Sequence, residues 1–202
     1  MMNFDNNSKT DRVLAASLKC FKQYGFKRTS MADIAQAADM SRPTLYNLFK
    51  NKSDIFRSLS ERFQGFTLDA VKTSLKQNIS IEARFTAAIL ARIAPFYALA
   101  HDSAHGQELF DLTKSTAADI NTKANTSFLS LIEASISAAI TNGEIDAKPH
   151  GLSSVDLAHI LTSGAFGLKE GAQDFSHYET LLNKMVALIS KGLSPQNSST
   201  GS

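Results

Sequence analysis

Apolar residues recur every three or four positions along almost the whole chain, the period of a helix with one buried face. Val13, Leu14, Leu18 and Phe21 mark a first helix from about Thr10 to Tyr24, with Gly25 as its C-cap. Ile34, Ala35 and Ala38 give a short second helix a small apolar face, and Leu45, Leu48 and Phe49 do the same for a third. A longer helix capped by Ser53 carries Ile55, Phe56, Leu59, Phe63, Phe66 and Val71 to about Lys76. The next runs from about Ser80 to Ala100, and Pro95 is expected to kink or interrupt it. Past a turn at Gly106 come a short helix with Leu109, Phe110 and Leu112, then a long one from about Ala117 to Asn142. Asn142-Gly143 stops that helix, and Gly143–Gly151 reads as a loop. Two final helices are predicted at about Ser153–Gly171 and His177–Gly192. No stretch alternates with a period of two, so the fold class is all-α, with about nine helices.

Thr29–Lys52 (TSMADIAQAADMSRPTLYNLFKNK) has the marks of a helix-turn-helix. Ser30 and Asp33 are spaced as a capping box. Asp39 stands at the break, where a left-handed backbone is needed and Asp tolerates one. Met40 plugs the turn from beneath. Ser41 caps the next helix and Pro43 lies in its first turn, where a missing N–H costs nothing. Arg42, Thr44, Tyr46 and Asn47 are then left facing outward, a side-chain set suited to a DNA major groove.

Three segments resemble the TetR family of bacterial transcriptional regulators: Val13–Phe26, Thr29–Ser41 and Arg42–Phe56, matching in order and spacing. Asp39 stands where glycine is common in that family, and Leu48 where histidine is usual. The resemblance implies a three-helix DNA-binding head over residues 1–52 and a helical ligand-binding and dimerisation body over 53–194, leaving a disordered tail over 195–202. It implies DNA contacts from Arg42, Thr44, Tyr46 and Lys52; geometry adds Asn47 to adenine, Pro43 to a thymine methyl, and Lys50, Thr29 and Ser30 at phosphates.

Charge sharpens the division. The chain is only +2 overall, yet residues 1–57 hold ten Lys and Arg against five Asp, so the remainder is net acidic. A basic head on an acidic body fits a protein that meets DNA at one end.

The body is rich in large apolar groups. Phe63, Phe66, Phe85, Ile89, Phe96, Tyr97, Phe110 and Phe128, with Asn125 as a polar fixing, are the candidate lining of a small-molecule pocket. Arg92, Asn121, His101 and His105 are further polar groups near them on the helix map. The last two helices have faces wider than one packing partner needs: Leu157, Leu161, Gly164, Ala165 and Leu168 on one, Leu182, Met185 and Ile189 on the other. The family resemblance implies that these pair with a second subunit as a four-helix bundle. A dimer would space two recognition helices about 34–36 Å apart on a partly palindromic operator. The resemblance makes a repressor released by a small-molecule effector the leading expectation. The alternative is the same head on a body that binds a protein partner.

Other chemistry is thin. His101 and His105 have metal-ligand spacing, but Gly106 breaks the helix and no third ligand is near, so no metal and no cofactor is expected. No glycine-rich phosphate loop, nucleophile elbow or HExxH occurs, so no catalysis is expected. The lone Cys20 reads as a small buried hydrophobe. No signal-peptide-like start and no segment of bilayer-spanning length is apparent, so the expected location is cytoplasmic, with no membrane contact.

Overall fold

The computed structural model describes residues 4–195, and the tail expected from residue 195 onward lies, beyond Pro195, outside them. The described residues form nine α-helices and one 3-10 turn: α1 (Lys9–Tyr24), α2 (Met31–Ala37), α3 (Arg42–Leu48), α4 (Lys52–Leu75), α5 (Ile81–His101), α6 (Gly106–Ser115), α7 (Ala118–Thr141), α8 (Ser154–Gly171) and α9 (Phe175–Gly192). The fold is all-helical, as the periodicity predicts.

Helix ends follow local hydrogen bonding. Ser8 caps α1 and Gly25, at φ +85°, ends it. Ser153 and Asp156 cap α8 reciprocally. Two starts differ from the sequence expectation. The cap of α4 is Asn51, whose side chain accepts from the Asp54 N–H at 2.9 Å, so Ser53 is already inside the helix. Helix α9 starts at Phe175 because Asp174 accepts from the His177 N–H at 2.8 Å. Pro95 does not interrupt α5, which runs on to His101.

That α5 corrects a second expectation. Its 21 residues are long and apolar enough, by length and composition, to cross a bilayer. Phe85, Ala88, Ile89 and Ile93 are nevertheless buried in a protein core, the ordinary reason for an apolar helix in a globular bundle.

The chain packs as two units. The first holds the described residues through Thr67 together with Ala94–Ala124. Its core joins Val13, Leu14 and Phe21 of α1 to Ile34, Leu45, Ile55, Phe56 and Leu59, and to Leu109 of α6. Phe26 bridges Phe21 and Phe56, with ring centroids 5.2 and 5.6 Å away. The second unit holds Leu68–Ile93 and the described residues from Asn125 on. Its core is built on Phe85, Ile89, Phe128, Ile132, Leu161 and Leu182. Helices α4, α5 and α7 each contribute residues to both units.

Candidate nucleic-acid interface

Helices α2 and α3 are seven residues each, too short to hold themselves in water, so their geometry is imposed by caps and by what they pack on. Ser30 Oγ accepts from the Asp33 N–H, and Asp33 accepts from the Ser30 N–H at 2.8 Å. Those Ser30 contacts hold the Asp33 carboxyl below its usual range. Ile34 and Leu45 are fully buried and seat the two helices on α1 and α4. Ser41 Oγ caps α3 at the Thr44 N–H, with Pro43 in the first turn.

The break between the helices carries the one positive φ at a non-glycine among the described residues, Asp39 at +51°. The neighbour that fixes it comes from α1. Arg12 Nη2 donates to the carbonyls of Ala38 at 2.8 Å and Asp39 at 3.1 Å. The guanidinium therefore clamps the turn that sets α3 against α2. Sequence reasoning counted Arg12 only as charge; an Asp in a position that favours glycine was the signal that a clamp was needed. Arg12→Ala is expected to cost about 1–2 kcal/mol of stability in urea unfolding. Asp39→Gly should return about 1 kcal/mol of it by relieving the left-handed backbone.

Of the residues proposed for DNA, Arg42, Pro43, Tyr46, Asn47 and Lys50 are exposed, and Tyr46 is 53% exposed despite its ring. Thr44 is half-buried, its hydroxyl 2.8 Å from Ser41 Oγ. Ser30 is exposed at the start of α2. Leu48, expected to pack inward, is 37% exposed and lies on the outer side of α3. Two others are turned inward. Thr29 is 2% exposed, and its hydroxyl donates to the Gly25 carbonyl at 2.7 Å. Lys52 Nζ donates to the carbonyls of Phe26 and, at 2.7 Å, Thr29, and stands 4.5 Å from the Phe26 ring centre. Its partial burial lowers its pKa. In this arrangement the Lys52 ammonium staples the α1–α2 loop to the start of α4, and a phosphate would have to compete with those carbonyls.

The same loop is held from a third side. Glu108 of α6 accepts from the Lys27 N–H at 3.0 Å. A Cβ on Gly25 would lie 2.6 Å from Glu108 Oε2 and 3.0 Å from His105 Nδ1, both on side chains, so it is the φ of +85° that makes glycine necessary here.

The residues proposed for a ligand pocket divide between the units. In the first, Phe63 meets Phe96 edge-on at 4.8 Å, Tyr97 stacks on His101 at 4.0 Å on the surface, Lys114 covers Phe110 at 4.4 Å, and Phe66 is half-buried. In the second, Phe85, Ile89 and Phe128 are core, and Asn125 accepts from Arg92 at 2.8 Å. Arg92 is only 2% exposed. Burial pulls its pKa down to about 10. Among the described residues no group of three or more His, Cys, Asp or Glu is placed to hold a metal.

The residues proposed for the dimer interface fall into two sets. Leu157, Leu161, Ala165 and Leu182 are 4% exposed or less, enclosed by their own chain. Gly164, Leu168, Met185 and Ile189 are half-buried, and a Cβ on Gly164 would meet Met185 Sδ at 2.7 Å. The close helix approach that Gly164 permits is thus already used by α9 of the same chain.

A capped helix, a tight turn and a Pro-started second helix with an exposed polar face, all on an all-α scaffold, define a helix-turn-helix protein. Residues 13–59 match the family described as bacterial regulatory proteins, tetR family. Over that stretch, which holds most of α1, all of α2 and α3 and the start of α4, the chain has the helix-turn-helix head of the TetR family. Its head is 40% identical over 53 residues to the HTH-type transcriptional repressor ComR of Escherichia coli, a match spanning 26% of this chain and 25% of that protein. The curated relative is thus matched over about a quarter of its length. Two solved structures share the fold throughout. A transcriptional regulator from Cytophaga hutchinsonii superposes with TM-score 0.75 at 21% identity, over 93% of this chain and 99% of its own. SmeT, the repressor of a Stenotrophomonas maltophilia multidrug efflux pump, in complex with triclosan, gives 0.63 at 16%, over 94% and 93%.

Proposed function

We propose that this protein is a DNA-binding transcriptional regulator, acting as a homodimer on a palindromic operator and released by a small-molecule effector. The observation that carries the reading is the outward face of α3: Arg42, Tyr46 and Asn47 exposed on a helix whose other side is anchored by the fully buried Leu45. Arg42 makes a bidentate contact to guanine and Asn47 to adenine, while Pro43 and Thr44 meet thymine methyls. Tyr46, Lys50 and Ser30 hold phosphates. Lys52 and Thr29 act from behind, fixing the loop that positions α2.

The dimer surface is drawn from the outer sides of α8 and α9, where Val155, Ile160 and Leu188 are 45%, 47% and 73% exposed. Burial of such side chains against a copy is worth about 1.5–3 kcal/mol each. Effector release follows population-shift logic: a ligand acts only through its preference between two arrangements. Helix α4, which starts beside α3 and continues into the second unit, is one of three helices that run from one unit into the other. SmeT was solved with triclosan, which supports a small molecule as the class of effector. A repressor is the sign of regulation that best suits the likeness to ComR and SmeT.

The test is salt-dependent binding to the DNA flanking the protein's own gene, with molecular size measured in the same buffer. A dimer whose affinity falls steeply with salt is expected, because phosphate contacts release counterions. Binding equal to that on random DNA, or by a monomer, would count against the reading. Arg42→Ala should cost about 1–3 kcal/mol on operator and relax one base position. Equal losses on operator and random DNA would remove Arg42 from base readout.

A further inference from the structure

Helix α3 sorts its side chains into three rows of i and i+4 partners around the buried Leu45. Arg42 and Tyr46 form one row, Pro43 and Asn47 the second, Thr44 and Leu48 the third. The first row carries a guanidinium and a phenol, and the second ends in an amide. Each of these can make hydrogen bonds. The third row cannot offer the same chemistry. The Thr44 hydroxyl is already paired with Ser41 Oγ at 2.8 Å, which leaves its methyl as the group it presents. Leu48 has no polar atom in its side chain and is nevertheless 37% exposed.

An apolar flank beside a polar recognition surface limits what can lie against it. A phosphate would give up hydration there for nothing, because leucine returns neither charge nor hydrogen bond. Base edges in the major groove present donors and acceptors, and the distinctly apolar group among them is the C5-methyl of thymine. Contact between that methyl and Leu48 removes apolar surface from water on both sides. Leu48 also continues the interface already assigned to α3, since it shares a row with Thr44 and follows Asn47 directly.

We propose that Leu48 is a specificity-determining residue, selecting thymine at one position of each operator half-site through the C5-methyl group. Arg42 and Asn47 read by hydrogen bonds; Leu48 reads by apolar contact. The inference rests on the DNA-binding reading above, which stands without it.

The test starts from duplexes that the full chain selects out of a random-sequence pool. Each thymine of the selected half-site is then replaced by deoxyuridine, which keeps every hydrogen-bonding atom and removes only the methyl. The parent is expected to lose about fourfold in affinity for each half-site substituted at the Leu48 position, the worth of one methyl taken from water. Leu48→Ala is expected to lose at least that much on the thymine duplex and to become indifferent to uracil at that position. Leu48→Met, apolar and of similar volume, should keep the uracil penalty. The salt dependence of Leu48→Ala should equal the parent's, because no phosphate contact is lost. The uracil scan on the parent needs no variant and serves if Leu48→Ala fails to fold. A parent indifferent to uracil at every thymine would overturn the proposal. So would a folded Leu48→Ala that retains every uracil penalty, or one that loses affinity equally on selected and random duplexes, as a contact to deoxyribose would. In either case Arg42→Ala, if it loses affinity on the selected duplex alone, leaves the DNA-binding reading intact. A parent that enriches no sequence overturns that reading, and the role of Leu48 with it.

Discussion

Gly106→Ala is expected to destabilise the protein by about 3 kcal/mol or more, placing it in the far tail of single substitutions. The reason is local and steric. A Cβ at this position would lie 2.3 Å from the Leu99 carbonyl oxygen and 2.5 Å from that of Ala100. Both obstacles are backbone at the end of α5, so no side-chain rotation relieves them. The α5–α6 connection is tight, with the Gly106 N–H donating to the Ser103 carbonyl at 3.0 Å. Either α6 must withdraw or the last turn of α5 must open. Withdrawal would carry Leu109, 2% exposed, out of the head core. Gly167→Ala is the control. It sits within α8 with nothing within 4 Å of a new Cβ, and it should stabilise by about 0.5–1 kcal/mol through helix propensity. Urea unfolding of the two variants is predicted to move in opposite directions. Equal stability of Gly106→Ala and the parent would mean that the α5–α6 junction is looser than described.

The second large effect is Arg62→Met. Asp11 of α1 has a side chain only 9% exposed. It accepts two bonds from the Arg62 fork, at 2.6 and 3.0 Å, and one from the Asp5 N–H at 2.8 Å. Arg62 also stands 5.8 Å from the Phe4 ring centre. Removing the guanidinium leaves a shielded carboxylate with a single protein donor, a loss of about 1–3 kcal/mol once the partial exposure of Arg62 is allowed for. The pH dependence has a definite sign. The Arg62 hydrogen bonds, then the Asp5 N–H, hold the Asp11 carboxyl below its ordinary value. A depressed carboxyl stabilises the fold fully above its unfolded pKa of about 3.9 and loses that contribution as pH falls through the folded value. The gap between parent and Arg62→Met should therefore be constant near neutrality and close below about pH 4. A gap that widened on acidification would exclude this pair as its source. The Arg57–Asp119 fork, 2.7 Å at each tooth, behaves alike in direction, with Asp119 drawn down to about 2 by Arg57. It lies at the surface, and salt screens it more.

What could be read from the sequence follows from which forces are local. Caps and turns are, so Ser30 with Asp33, Ser41 with Pro43, Asp39 at the break and Ser153 before α8 were all legible from residue type and spacing. Where two neighbours could each cap, spacing could not choose, and α4 took Asn51 over Ser53. Periodicity marks the side of a helix that is buried but not its partner. That is why Leu157, Leu161, Ala165 and Leu182, a stripe suited to a second subunit, are enclosed by their own chain. The aromatic residues gathered as one pocket fail to stay together for the same reason. Phe63 and Phe96 pair edge-on in the first unit, while Phe85 and Phe128 lie in the core of the second. Polar side chains that act on distant backbone leave no pattern of their own, and only Asp39 at the left-handed turn marks a place where one is needed. Arg12 reaches carbonyls 26 and 27 residues away, and Lys52 reaches back to Phe26 and Thr29. Each reads in sequence as one more basic residue near DNA.

Cys20 has a practical use. It is the chain's one cysteine, 5% exposed, and burial, foremost, raises its thiol pKa, so at neutral pH it stays a protonated thiol poorly reached by reagents. A cysteine introduced on the surface of this otherwise unaltered protein is therefore the one that takes a maleimide or a nitroxide. Placed at Gln36, exposed on α2, and labelled in a dimer, it would turn the spacing of two heads into a directly measured distance, read with and without effector in the native background.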